Sequence, residues 1–291
     1  MGQASRKKTI FSLTFLIVVW GISWPVYKIV LNYTPPILFA GMRTLLGGMF
    51  LALLFLPQWR LIRFRDTWPI YLISALLNTA LFYGVQTVGL LYLPEGLFSV
   101  IVYLQPVLVG IFAWLWLGES ISLKKIAGLL IGFLGVAVIS AESLTGRISW
   151  LGILLALITS ASWAVGVIYV KKAGNRADSM WLVALQSIIG GIVLTLLGLI
   201  AENVSQIVWN QTYVIGLTFS GIFVIAFAWV VYFNLVKAGE VSKVASFTFL
   251  VPLIAVFIGT VFLREPFTVF LVIGLILIVT SIFLVNRPGK A

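Results

Sequence analysis

The chain is written as a series of apolar stretches, each about as long as a bilayer is thick. Ten such runs lie near 9–31, 36–57, 69–91, 94–117, 123–141, 150–171, 179–200, 212–235, 243–263 and 268–286. A helix needs about 20 apolar residues to cross a hydrocarbon core of about 30 Å. The runs are continuously apolar rather than alternating, which argues against a β-barrel. Pro35-Pro36, Pro57, Trp59, Trp68-Pro69, Pro94, Trp150 and Trp209 mark their ends. Proline fits a first helical turn there, and tryptophan favours the lipid–water boundary. With 62% of 291 residues hydrophobic and 9% charged, no soluble core could hide so much apolar surface. Arg6-Lys7-Lys8 precede the first run, as in a signal peptide. That run is too long for one, and no small-residue cleavage site follows convincingly, so it reads as the first membrane helix. The expected fold is an all-α membrane protein of ten transmembrane helices.

The chain has no histidine and no cysteine. Disulfides, thiolate or imidazole metal sites and His-containing catalytic triads are therefore excluded. No acidic pair lies inside a helix either, so a membrane-embedded enzyme lacks its chemistry. No cofactor and no metal are expected. The net charge of +11 acquires meaning from its distribution. If the N-terminus is cytoplasmic, fifteen lysines and arginines fall in inside segments and two, Arg147 and Arg264, in outside loops. That asymmetry places both termini in the cytoplasm. The charge is topological rather than a nucleic-acid signal, with attraction to anionic lipid as a side effect. The partners expected are the lipid bilayer and a small-molecule substrate. A duplicated ten-helix chain can work as a monomer.

Five correspondences in order show that the chain is written twice. Trp20 precedes Lys28 by eight residues, and Trp163 precedes Lys171 by eight. Arg43-Thr-Leu-Leu-Gly47-Gly48 has the counterpart Gln186-Ser-Ile-Ile-Gly190-Gly191. Leu104-Gln-Pro106 matches Leu250-Val-Pro252, and thirteen residues past each proline stands a glutamate, Glu119 or Glu265. Nine residues further lies Gly128 or Gly274. The first repeat spans residues 1–145 and the second 146–291. Five helices in each force the copies to face opposite ways. Inverted repeats of this kind are the architecture of alternating-access transporters, with the substrate site between the repeats near the midplane.

These residues resemble the EamA branch of the drug/metabolite transporter superfamily. The resemblance rests on the two Pro-to-Glu-to-Gly patterns, on Trp20-Gly21-x-x-Trp24 and on Ala40-x-x-Arg43, and covers about residues 10–286. It implies a bacterial inner-membrane exporter of small amphipathic metabolites such as amino acids. A multidrug or organic-cation efflux pump is the alternative. Such a pump wants an intramembrane carboxylate, and helices 1 and 6 contain none. For the same reason facilitated diffusion is favoured over proton antiport.

Polar and aromatic residues within the runs are the site candidates, because buried polar groups are costly in lipid. Helix 1 carries the stripe Trp20, Ser23, Trp24 and Tyr27, and helix 3 carries Asn78, Phe82 and Gln86 on one face. Helix 4 offers Tyr103, helix 6 offers Trp163, and helix 8 offers Phe223, Phe227 and Asn234. Helix 9 offers Ser242, Ser246 and Phe249. One reading is a central cavity of rings with a few amide and hydroxyl groups, suited to a neutral or zwitterionic solute. The other is ordinary helix packing. Pro106 and Pro252, mid-helix in both repeats, are gating hinges or static bends. Glu119 and Glu265 are expected to cap the helix that follows each of them. Arg43, seven residues into helix 2, either meets a carbonyl or faces the cavity and attracts a carboxylate. Lys28 is expected to snorkel outward.

Overall fold

A computed structural model describes residues 3–89, 91–93, 95–139, 149–263 and 269–286. Among them there is no strand. The helices are α1 (Gln3–Val30), α2 (Pro36–Leu54), α3 (Phe64–Gly89), α4 (Glu95–Val102), α5 (Gln105–Leu117), α6 (Leu123–Ile139), α7 (Trp150–Ala173), α8 (Ser179–Ala201), α9 (Gln211–Ala238), α10 (Val241–Ser246), α11 (Leu250–Leu263) and α12 (Val269–Asn286). Seven helical stretches among the described residues are long and apolar enough to cross a membrane, and the protein is a multi-pass membrane protein. The expected count of ten would further require α6, the pair α10–α11, and α12 each to span.

Helix starts follow from local chemistry. Pro35, extended at φ −61° and ψ 141°, places Pro36 in the first turn of α2, where the missing N–H costs nothing. Asp178 accepts from Met180 N at 2.9 Å and Trp181 N at 3.1 Å, and Asn210 accepts from Tyr213 N at 2.8 Å. These caps satisfy donors that a helix leaves orphaned. Gly118, at φ +67°, ends α5 in the left-handed region that glycine enters without strain.

The expected bends at Pro106 and Pro252 fall at interruptions. α4 stops at Val102, and α5 restarts at Gln105 with Pro106 in its first turn. α10 passes through a tighter 3₁₀ turn, Phe247–Phe249, before α11 restarts with Pro252. Two other helices loosen instead. Leu76–Leu81 in α3 and Ser220–Ala228 in α9 wind as wide π turns.

Two long seams hold the bundle. α2 lies along α8, and α6 along α12. Small residues permit the approach: a Cβ on Gly48 would stand 2.8 Å from Ala184 O and Ile188 N, and one on Gly191 would stand 2.8 Å from Leu45 N. These neighbours are backbone atoms, which cannot retreat. Without a hydrophobic drive between helices in lipid, close packing of this kind supplies much of the cohesion.

Candidate functional site

Aromatic rings from four helices and from the break between α4 and α5 converge around Trp20 of α1. Its ring centroid lies 5.7 Å from Trp163 of α7, 5.7 Å from Trp229 of α9 and 5.2 Å from Tyr232. Phe82 of α3 reaches Trp163 at 5.1 Å, and Tyr103, in the break between α4 and α5, reaches it at 6.4 Å. The first two Trp20 pairs are edge-to-face, the arrangement that ring quadrupoles favour. A cavity of about 50 Å³ remains among Trp20, Ser23, Trp24, Tyr27, Phe82, Tyr83, Gln86, Val102, Tyr103, Trp163, Val224 and Trp229. Pro106 lacks the N–H that would have bonded the Val102 carbonyl in a continuous helix.

The polar groups here are mostly spoken for. Trp229 Nε1 donates to Tyr83 Oη at 2.8 Å, and Ser23 Oγ donates to the Trp20 carbonyl at 2.7 Å. Trp163 Nε1 is buried without an acceptor. A donor left orphaned in a dry site is costly, and a ligand acceptor would satisfy it.

Of the ten binding candidates, Trp20, Trp24, Phe82, Gln86, Tyr103 and Trp163 share this cavity. The other four are elsewhere. Asn78 is buried at the junction of α3, α7 and α8, where its Nδ2 donates to Gln186 Oε1 at 3.5 Å. Phe227 packs on Phe50 of α2. Ser246 accepts from Asn286 Nδ2 at 3.3 Å, and the Phe249 ring lies against Gly132 of α6. Tyr83 and Trp229 were not singled out from the sequence. Their signal was available: Trp229 stands 146 residues after Tyr83, the later offset between the repeats.

A second cavity, of about 240 Å³, adjoins the first and shares Trp24, Tyr27 and Gln86 with it. Lys28, Leu31, Phe39, Arg43 and Thr87 complete its lining. It lies toward the end of the bundle where α1 finishes and α2 begins. Arg43 lines this cavity, and its Nε and Nη1 bond no carbonyl.

The other end carries the lysines, and it is tied shut. Glu119 reaches across to the N-terminus of α10, accepting from Val241 N at 2.5 Å and from Ser242 Oγ. The expected cap on the next helix, α6, is supplied instead by Ser122, which accepts from Lys125 N at 3.2 Å. Lys125 Nζ joins Glu119 at 3.2 Å and Glu240 at 3.4 Å. Lys171 Nζ donates to the carbonyls of Lys237 and Gly239 at 3.0 and 2.6 Å, and Lys237 Nζ donates to Ala177 O at 2.7 Å. Burial raises the Glu240 pKa, but hydrogen bonding and charge from Lys243, with Lys125, outweigh it and hold the carboxyl below its ordinary range. Glu265 lies outside the described residues.

A model of the EamA-like transporter family matches the chain twice, over residues 7–141 and 150–287. The chain belongs to the EamA-like transporter family. It is thus a transporter of the drug/metabolite superfamily and not an enzyme. It is 54% identical over 291 residues to the transporter YvbV of Bacillus subtilis, covering 100% of this chain and 95% of that one. It is 26% identical over 298 residues to a protein of Escherichia coli named "Probable amino-acid metabolite efflux pump", covering 96% of this chain and 95% of the other. A solved crystal structure superimposes with a TM-score of 0.84 at 18% identity, covering 96% of each chain, which speaks to the fold alone.

Proposed function

We propose that this transporter exports small amphipathic metabolites such as amino acids across the bacterial inner membrane, by alternating access through the aromatic cavity. In this reading the chain forms ten spanning helices in two inverted repeats, 1–145 and 146–291. The lysine-rich end faces the cytoplasm. The observation that carries the proposal is the ring cluster itself. It draws on both proposed repeats and holds an unpaired Trp163 N–H among walls that are mostly aromatic. Positions matched between the repeats also meet here: Trp20 with Trp163, and Tyr83 with Trp229. A pseudo-two-fold axis brings equivalent residues together in this way.

A cavity of about 50 Å³ is far smaller than the roughly 300 Å³ or more of a ligand-filled pocket. The rings must therefore separate around a substrate, and breaks beside Pro106 and Pro252 give α4–α5 and α10–α11 freedom to tilt. Entry from the cytoplasm requires the ties at the lysine-rich end to part. Among the described residues, no carboxylate lines either cavity. Movement follows the solute's own gradient in this reading. The amino-acid assignment is supported by the name of the Escherichia coli relative.

The test is counterflow of aromatic and aliphatic amino acids in proteoliposomes. A stacked ring contributes on the order of 1 kcal/mol beyond its burial. Trp163→Ala should therefore slow transport of bulky apolar solutes several-fold while the protein still inserts and purifies normally. Normal transport of every solute by a well-folded Trp163→Ala protein would place the route elsewhere.

A further inference from the structure

Among the described residues, Arg43 is a cation in the membrane interior with no carboxylate paired to it. It is 2% exposed, and its Nε and Nη1 meet no hydrogen-bond acceptor. Three rings surround it instead: the guanidinium carbon stands 4.1 Å from the centroid of Tyr27, 4.5 Å from Tyr83 and 5.2 Å from Phe39. Aromatic faces attract a cation through their quadrupoles. They do nothing for the N–H groups, which lie in the guanidinium plane and need acceptors at its edge.

The space at that edge is the cavity of about 240 Å³. No described acidic residue lines it, while Gln86 and Thr87 add uncharged polar groups and Lys28 stands at its exposed rim. Tyr27 and Tyr83, on which the guanidinium rests, are also walls of the ring cluster. A planar fork of donors therefore sits directly beside an apolar box.

We propose that Arg43 recognises the carboxylate of the substrate at the outer end of the route, and that the class it selects is the monocarboxylate with an apolar or aromatic body, amino acids included. The geometry orients such a molecule. Its carboxylate takes two parallel N–H bonds from the fork, and its apolar part projects past Trp24 and Tyr27 toward Trp20 and Trp163. A planar carboxylate matches the guanidinium edge, and a lysine ammonium would not reproduce that pairing. An organic cation lacking a carboxylate is repelled. The position matched to Arg43 in the other repeat is Gln186, bonded to Asn78, so the cation serves one end of the route only. This inference rests on the cavity being the transport route, and the experiment separates the two ideas.

Full-length protein in detergent is titrated with acid–amide pairs: L-phenylalanine and its amide, L-leucine and its amide, and phenylacetate with phenylacetamide. The same compounds are then run in counterflow. Acids should bind at least about tenfold more tightly than their amides to the wild type, the scale of a charge-assisted pair. Arg43→Gln should abolish that preference for acid over amide, and Arg43→Lys should restore part of it. The wild-type comparison needs no variant, so a misfolded substitution does not blunt it. If acids and amides bind and move equally, Arg43 is a packing element and the route stands without it. If no compound of the panel binds or moves, the inference fails together with the proposed route.

Discussion

Two carboxylates, at opposite ends of the molecule, each close a helix N-terminus far away in sequence. Glu202, just past α8, accepts from Ile37 N at 2.9 Å and Leu38 N at 2.8 Å at the start of α2. Glu119 does the same for α10. The surroundings differ. Glu202 clasps the end of a glycine seam, where α2 and α8 approach backbone to backbone. Glu119 belongs to a polar cluster with Ser242, Lys125 and Glu240, and the Glu240 side chain is 42% exposed. Water reaches that cluster through Glu240, whereas nothing replaces a lost backbone contact in lipid. In the alternating-access reading proposed above, the first tie is fit to be permanent and the second to be broken in each cycle.

The sharpest way to break this contrast is to wedge the seam. Gly48→Leu forces a side chain against Ala184 O and Ile188 N, so it should leave almost no monodisperse protein after extraction. A Gly48→Leu protein that melts like the wild type would mean that the seam yields.

A matched pair of substitutions sharpens it. Glu202→Ala removes an acceptor from two backbone donors and should cost about 2–4 kcal/mol, seen as a lower melting temperature. Glu119→Gln should change melting little but loosen the lysine-rich end. The chain has no cysteine of its own, so a single one at the fully buried Val236 reports cleanly. Its labelling by a thiol reagent should rise several-fold in Glu119→Gln and stay low in Glu202→Ala. The reverse pattern would exchange the two roles.

Acid is the mildest probe. Because the Glu240 carboxyl sits below its ordinary value of 4.5, its contribution is complete above that value. It is lost as pH falls through the lowered value. Exchange of the Val241–Ser246 amides, corrected for intrinsic rates, should be flat across neutral pH and accelerate only in acid below 4.5. A step near neutrality would point to a different titrating group.

Much of the cavity was legible because α1, α7 and the last turns of α3 are regular. A 3.6-residue period puts Trp20 with Trp24, and Phe82 with Gln86, on the faces that meet. The same period misplaces the face of α9. Read as a regular helix, it presents Phe223 and Phe227, but the π turn over Ser220–Ala228 carries the inward face on to Trp229. Asn78, polar within a membrane helix, was expected on the cavity wall. Periodicity could not say that the partner would be Gln186 rather than a solute. Ser246 and Phe249 belong to a stretch whose burial is set by α6 and α12, contacts that a single stripe does not encode. The reach of Glu119 to α10 spans 122 residues, beyond any local rule.

The wide turns have a consequence for how such a protein keeps its wall. Each holds one residue of slack, whereas in a regular helix a residue corresponds to about 100° of rotation. Removing a single residue within 76–81 would let the turn tighten to a regular one while Phe82, Tyr83 and Gln86 keep their heading. Two chains could then present the same wall with their numbering out of step by one. An alignment drawn without a gap through that stretch would name the wrong residues as the wall.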